Sequence, residues 1–374
     1  MKTFFVVWIG QALSLFGSSI VQFALAWYLT LKTGSATVLA TAVLVALLPN
    51  IVLGPLIGAY VDRWNRKWTI IGADLGTAAV TAVLVVLFLT GKVEIWHIYV
   101  AMVLRAIGGG FHQPAMAATT PLLLPDKHLA RAAGLNQMLY GAMGIITPPL
   151  GALFLAIMPM QGVLAVDIVT AVMASGCLFA VVIPQAARAL QTARKSVFAD
   201  ALQGFRYIWA WKGLRVMLAG AALLNLVIYP TFVLLPILVT KHFGGGAPQL
   251  AWLGSAFGVG TIVGGLALAF ANGPVTAIMQ SVVPRNMQGR VFATLGTLAM
   301  AASPIGLAIA GPVADAAGVR VWYYIAGAVT LAMTVAYAFM PAVRNIESQK
   351  TIPAPVTAAP VVETGSIVLP ETDR

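Results

Sequence analysis

Gly58-Ala59-Tyr60-Val61-Asp62-Arg63-Trp64-Asn65-Arg66-Lys67 joins two long apolar stretches, residues 37–61 and 68–90. Four of these ten residues ionise, in a chain where charged residues make up only 9%. Each flanking stretch is long enough to cross a bilayer, since about 20 apolar residues in helical form span the roughly 30 Å hydrocarbon layer. A charged cluster between two such stretches is a short loop in water, and it helps set the direction in which the chain threads. The fold class that follows is an all-α integral membrane protein.

Outward from this loop the same pattern repeats. Hydrophobic residues make up 60% of the 374, and ten apolar stretches lie near residues 4–31, 37–61, 68–90, 97–124, 134–156, 163–183, 214–240, 251–283, 291–313 and 321–341. The first runs too long for a removable leader and lacks a cleavage site, so it reads as span one. With the N-terminus in the cytoplasm, seventeen Lys and Arg residues fall on the inner side; Lys32, Lys92, Lys241 and Arg320 fall on the outer side. That asymmetry follows the positive-inside tendency and supports both the span count and its parity. Both termini are therefore expected in the cytoplasm and the chain in the cell (plasma or inner) membrane. The net charge of +11 reflects this topology, and no nucleic-acid partner is expected. The one cysteine, Cys177, sits in an apolar run, so no internal disulfide can form. The four histidines are scattered with no metal-ligand spacing, and no metal or cofactor is expected.

The longest polar interruption, 185–213, contains Phe198, Leu202, Phe205, Ile208 and Trp209 at helical spacing. It predicts a cytoplasmic helix lying on the membrane interface. The expected organisation is an N-terminal six-helix half (1–184), this linker (185–213), a shortened C-terminal half of four helices (214–344) and a disordered tail (345–374) rich in Pro, Thr and Val. Residues 251–283 are awkward, because such a helix would be about 50 Å long, more than one crossing and less than two. Asn272-Gly273-Pro274 inside it kinks or breaks a helix. Two crossings would put Arg285 and Arg290 outside, so the segment reads as one long, bent span.

By residue chemistry alone, the Asp62–Lys67 cluster is either an anchor that hydrates a tight turn or a hinge. In the hinge reading, a carboxylate at a helix end pairs with an arginine or a neighbouring helix N-terminus and latches one state of a moving bundle. The pattern Gly58-x-x-x-Asp62-Arg63-x-x-Arg66-Lys67 resembles the loop signature of the major facilitator superfamily. Arg105, within Leu104-Arg-Ala-Ile-Gly-Gly-Gly, resembles that superfamily's buried arginine motif, and Gly144-Ile-Ile-Thr-Pro148-Pro149-Leu-Gly151 its glycine–proline antiporter motif. Gly10-Gln11-x-x-Ser14-x-x-Gly17 and Val283-Pro-Arg-Asn-Met-Gln288-Gly289-Arg290 resemble stretches of macrolide-efflux-like and siderophore-exporter-like drug–proton antiporters. The resemblance covers about residues 1–345. It implies a helical bundle of the superfamily type and proton-coupled efflux of drug-like or other lipophilic molecules by alternating access. It assigns gating to Gly58, Asp62, Arg63, Arg66 and Lys67, proton coupling to Arg105, and a helix bend to Gly144, Pro148, Pro149 and Gly151. Family members have twelve spans in two halves of six. This chain is expected to have about ten (6 + 4), since sequence resembling span eight (251–270) runs directly into sequence resembling the end of span ten (271–283). Asn65 also stands where the family loop has glycine.

The remaining polar residues can be read without the resemblance. A cation at mid-membrane costs roughly 3 kcal/mol on insertion scales, so Arg105 must face the bundle interior, a water-filled cavity or a carboxylate. The candidate acids are Asp74, two turns into span three, and Asp167, toward the outer end of span six. A desolvated carboxyl group can load and release a proton near neutral pH. The structural alternatives are a pairing of Asp74 near the loop cluster and an interfacial cap by Asp167. Asp315 reads as a solvated outer helix end. Gln11, Gln22, Asn50, His112, Gln113, Asn136, Gln137 and Asn225 either line a cavity or bond between helices. Trp8, Trp27, Tyr28, Tyr140, Tyr229 and Phe232 either touch a bulky substrate or belong to the lipid-facing belt.

Two function classes stay open. One is a secondary transporter whose partners are the lipid bilayer, a small-molecule substrate and protons as the coupling ion. The other is a shortened, non-transporting membrane protein, inert or dependent on a partner chain, which the ten-span count favours. An enzyme is disfavoured, because no nucleophile–base pair, metal cluster or phosphate loop stands out.

Overall fold

Lipid offers a backbone no hydrogen-bond partners, so a segment that crosses it must satisfy its own N–H and C=O groups. The structure, a computed structural model, describes residues 2–61, 63–183, 197–260, 283 and 285–340. Among these every regular element is helical. The first six are α1 (Lys2–Thr33), α2 (Ala36–Val61), α3 (Arg66–Leu89), α4 (Ile95–Leu123), α5 (Leu129–Ile157) and α6 (Met160–Phe179). Gly34 (φ 58°) between α1 and α2 and Gly91 (φ 67°) after α3 take left-handed backbone that lets these tight connections close. Asn65, the residue that departs from the family loop, caps α3 by accepting from the Trp68 N–H at 3.4 Å.

The later elements are α7 (Val197–Ala210), α8 (Lys212–Val233), α9 (Leu235–Lys241), α10 (described over 247–260), α11 (Arg285–Met300), α12 (Ala302–Ala317) and α13 (Val319–Phe339). Two expected continuous spans are broken. The stretch 214–240 divides at Leu234, where Pro236 has no N–H to carry the helical ladder onward. The stretch 291–313 divides at Ala301, just before Pro304. Among the described residues, eight segments have the length and apolar composition to cross a membrane. α4, about 43 Å long as a helix, has the length as well. Asp62, the part of the linker ahead of α7 (185–196), the junction around 270–274 and the tail 345–374 lie outside the described residues.

Val83, Val86, Leu89, Trp252 and Leu331 each expose more than half of their surface. In water such a coat would be a liability, whereas against lipid tails it is the expected outer surface. α7 forms where the periodicity placed it, but its apolar face is split. Ile208 is fully buried with Leu214, Val283 and Val291 against α8 and α11, while Leu202, Phe205 and Trp209 stay exposed.

α6 packs closely against α1 and α3, α3 against α4, and α2 lies along α4. The helices after residue 197 meet this group mainly through α12 against α2, and at the end of the molecule that carries Gly34. There Ala36 and Leu39 pack with Ile237, Ala310, Ala314 and Trp322, and Trp27 packs with Val239 and Leu250. The buried apolar clusters at the Asn65 end behave differently. Each stays within one side of the linker: Val7, Val61, Ile71 and Leu178 before it, and Ile208, Leu214 and Val291 after it.

Candidate functional site

The first helix shows how the site is built. A Cβ at Gly10 would lie 3.1 Å from that of Cys177, and one at Gly17 would collide with Thr170, so both glycines let α1 seat directly on α6. That seating turns the stripe Gln11, Ser14, Ser18, spaced i, i+3, i+7, toward two buried acids.

Asp167, fully buried on α6, forms an ion pair with Arg105 of α4. Arg105 Nη1 also donates to Thr81 Oγ1. Ser18 Oγ donates to Asp167 Oδ1 at 2.7 Å and Thr81 Oγ1 to Oδ2 at 2.8 Å. The acid is an interior partner of the arginine and not an interfacial cap, because the guanidinium would otherwise sit unmatched in the bundle. Gly108, one turn after Arg105, faces Thr77 so closely that a Cβ there would stand 2.5 Å from its hydroxyl. Gly108 thus permits the α3–α4 approach that brings Thr81 to Arg105.

Asp74, buried on α3, is served differently. Gln11 Nε2 donates to Oδ2 at 2.9 Å and Ser14 Oγ to Oδ1 at 3.2 Å, with His112 Nε2 3.5 Å from Oδ1. Because its amide NH2 faces the carboxylate, Gln11 turns Oε1 to His112, whose Nε2 donates to it at 2.5 Å. Asp74 therefore binds deep between α1 and α4 and not to the loop cluster.

Both groups open on one cavity of about 800 Å³, with Ser14, Ser18, Asp74, Arg105 and His112 in its wall. Gln22, Asn50, Gln113 and Tyr229 line it too, the last from α8. Gln11 sits behind the wall. Asn136 accepts from Trp8 Nε1 at 2.8 Å, Asn225 donates to the Ala221 carbonyl of its own helix at 2.9 Å, and Gln137 is exposed. None of these three faces the cavity.

In the loop, Lys67 Nζ donates to the Phe179 and Val181 carbonyls at 3.1 and 2.8 Å, tying the start of α3 to the last turn of α6. Gly58 lies near the end of α2, Arg63 is exposed in the turn and Arg66 opens α3. The Gly144–Gly151 motif lies inside α5, where α10 crosses it. Pro149 has no N–H for the Ile145 carbonyl, and Ser255 Oγ of α10 donates to that carbonyl at 2.8 Å. Gly254 and Gly258 abut Pro148 and Ile145, and Gly151 abuts Phe23.

At the Gly34 end Asp315 is bound. Its carboxylate accepts from Ser35 Oγ at 2.6 Å, the Ala36 N–H at 2.8 Å and the Thr37 N–H at 2.9 Å, so α12 caps the N-terminus of α2. It stays exposed near the end of α12, as expected, and is hydrogen-bonded as well. Ser255 and the Asp315–Ser35 contact had no local signal in the sequence, whereas the Gln11/Ser14/Ser18 stripe was readable as helical spacing.

The family model of the Major Facilitator Superfamily matches residues 7–270. The chain belongs to that superfamily. Macrolide efflux protein A of Streptococcus pyogenes is 30% identical over 393 aligned positions, covering 92% of this chain and 97% of that protein. The multidrug efflux pump Tap of Mycolicibacterium fortuitum is 25% identical, covering 88% and 94%. Among solved structures, a D-xylose–proton symporter superposes with a TM-score of 0.58 at 14% identity, covering 90% of this chain and 98% of that one. These superfamily matches agree with the fold: a multi-pass membrane transporter built only of helices among the described residues.

Proposed function

We propose that this protein is a proton-coupled exporter of lipophilic, drug-like molecules that works by alternating access. The observation that carries this reading is the cavity. Its volume suits a drug-sized molecule, its wall is mostly apolar, and the polar groups it does contain include two ionisable clusters inside the bundle. The efflux-protein relatives support the export direction.

In this reading the Asn65 end, with Arg63, Arg66 and Lys67, lies in the cytoplasm, and both termini share that side. Residues 1–184 and 214–344 form the two rocking halves, joined by 185–213. Contacts across the halves gather at the Gly34 end, which supports an outside-closed form. Gly58, Asp62, Arg63, Arg66 and Lys67 would serve the inner gate. Gly144, Pro148, Pro149 and Gly151 would serve as the pivot against α10. Arg105, Asp74 and Asp167 are the groups available for coupling. The shortened C-terminal half is supported by an alignment longer than the chain itself, 393 positions against 374 residues, and by a family match that stops at residue 270. The same shortening favours a second reading, a chain that folds but does not transport.

Purified protein in proteoliposomes with an imposed pH gradient separates the two. Gradient-driven accumulation of radiolabelled erythromycin is expected, with collapse on adding a protonophore. A folded protein that moves none, against a functioning efflux control, supports the second reading.

A further inference from the structure

We infer that the coupled proton is carried by Asp74 and His112 acting as one unit bridged by Gln11, while Arg105–Asp167 is a fixed strut that keeps its charges through the cycle. The inference rests on the proton-coupled reading above and selects among the groups that reading offers.

The two acids differ in the permanence of their partners. Asp167 has a guanidinium, which stays protonated in proteins, and two hydroxyls on its oxygens, so its charge has a permanent partner. Among the described residues Asp74 has no such cation, and the groups around the Asp74–His112 pair can be named, with Tyr229 of α8 sharing their cavity. α1 brings Gln11 and Ser14, α2 brings Asn50 and no acid or base, and α6 brings Asp167, already bound. α4 adds Arg105, two turns from His112 and committed to Asp167. The balance of the pair is therefore set by one proton. With aspartate ionised and imidazole neutral the unit carries one negative charge. One proton taken from water makes it neutral overall, and its release restores the charge. No other atom changes bonding.

The geometry lets the two residues share that proton. Gln11 is held by its NH2 on Asp74 and accepts from His112 Nε2, so a change of charge at either end pulls on the same amide. Both Asp74 and His112 reach the cavity wall, where water and substrate would arrive, whereas Asp167 and Thr81 lie behind it. A substrate entering the cavity meets the switching pair on the wall formed by α1, α3 and α4. Because the pair is also a contact between those helices, its charge state bears directly on their packing.

The test needs no substrate. Infrared difference spectra of the protein in lipid, recorded across a pH titration, report the C=O stretch of a protonated carboxyl group. The wild type is expected to show a titrating carboxyl band that is absent in Asp74→Asn, retained in Asp167→Asn, and displaced in midpoint by more than tenfold in proton concentration in His112→Gln. Spectra that lose no titrating carboxyl component in Asp74→Asn overturn the inference, as does an Asp74 component that His112→Gln leaves unmoved. Near-ultraviolet dichroism and thermal unfolding establish that each variant is folded. In parallel, Asp74→Asn is expected to lose gradient-driven erythromycin accumulation at least tenfold while retaining erythromycin exchange across the liposome membrane. If the wild type accumulates erythromycin under the gradient and Asp74→Asn does so equally, the inference fails and the proton-coupled reading stands. If the wild type itself shows no gradient-driven accumulation, the reading fails and the inference with it.

Discussion

Asp167 and Asp74 are two carboxylates buried in the same group of helices, each reached by serines from one stripe of α1. One is closed off by arginine and hydroxyls, and the other is bridged through an amide to an imidazole at the cavity wall. The difference teaches how a bundle in lipid holds charge. A charge whose only task is to exist is matched once, by a cation that does not titrate. A charge that must come and go is left among neutral donors with a titratable neighbour. Family resemblance draws the eye to Arg105, whereas on the inference drawn above Arg105 has the permanent role and Asp74 the conditional one.

Variants can break this contrast or sharpen it. The largest effect is expected from Arg105→Ala, which strands Asp167 in the interior and should lower stability by about 3–5 kcal/mol, measured by thermal unfolding in detergent. Removing both members together, as Arg105→Met with Asp167→Leu, should recover much of that loss. Asp74→Asn should cost far less stability, since Gln11 and Ser14 keep an acceptor. A similar loss at both acids would erase the distinction between strut and switch.

The remaining variants move from the acids to the contacts between the halves. Asp315→Ala removes the acceptor that caps α2 and should destabilise by about 1–2 kcal/mol. It should also raise thiol labelling of a cysteine placed at Asn50 by a reagent added at the Gly34 side, which a purely local capping role would not do. The smallest effect is expected from Ser255→Ala, about 1 kcal/mol, because it leaves the Ile145 carbonyl without a donor. Pro149→Ala restores the helical N–H at that position. The serine's contribution should therefore vanish in the Pro149→Ala background, which a double-mutant cycle in thermal unfolding will read.

Much of this was legible in the sequence. Apolar length placed α1 to α6, and the cluster at 63–67 marked the turn between α2 and α3. The cost of a mid-membrane cation required a partner for Arg105, though not which one. Spacing could not choose between Asp74 and Asp167, because the choice depends on how α4 and α6 sit against α3, where Thr81 meets both Arg105 and Asp167. Asp315 and Ser255 were invisible for the same reason: each satisfies a backbone group far away in sequence. The breaks at Leu234 and Ala301 were readable from Pro236 and Pro304, but hydropathy averages over them.

The most direct test of the account is proton movement evoked by substrate. Inverted membrane vesicles containing the protein, with an established acid interior reported by a quenched acridine dye, are given erythromycin. The account predicts prompt recovery of fluorescence in the wild type as protons leave, and none in Asp74→Asn. Erythromycin entering the vesicles without any recovery of fluorescence would contradict it.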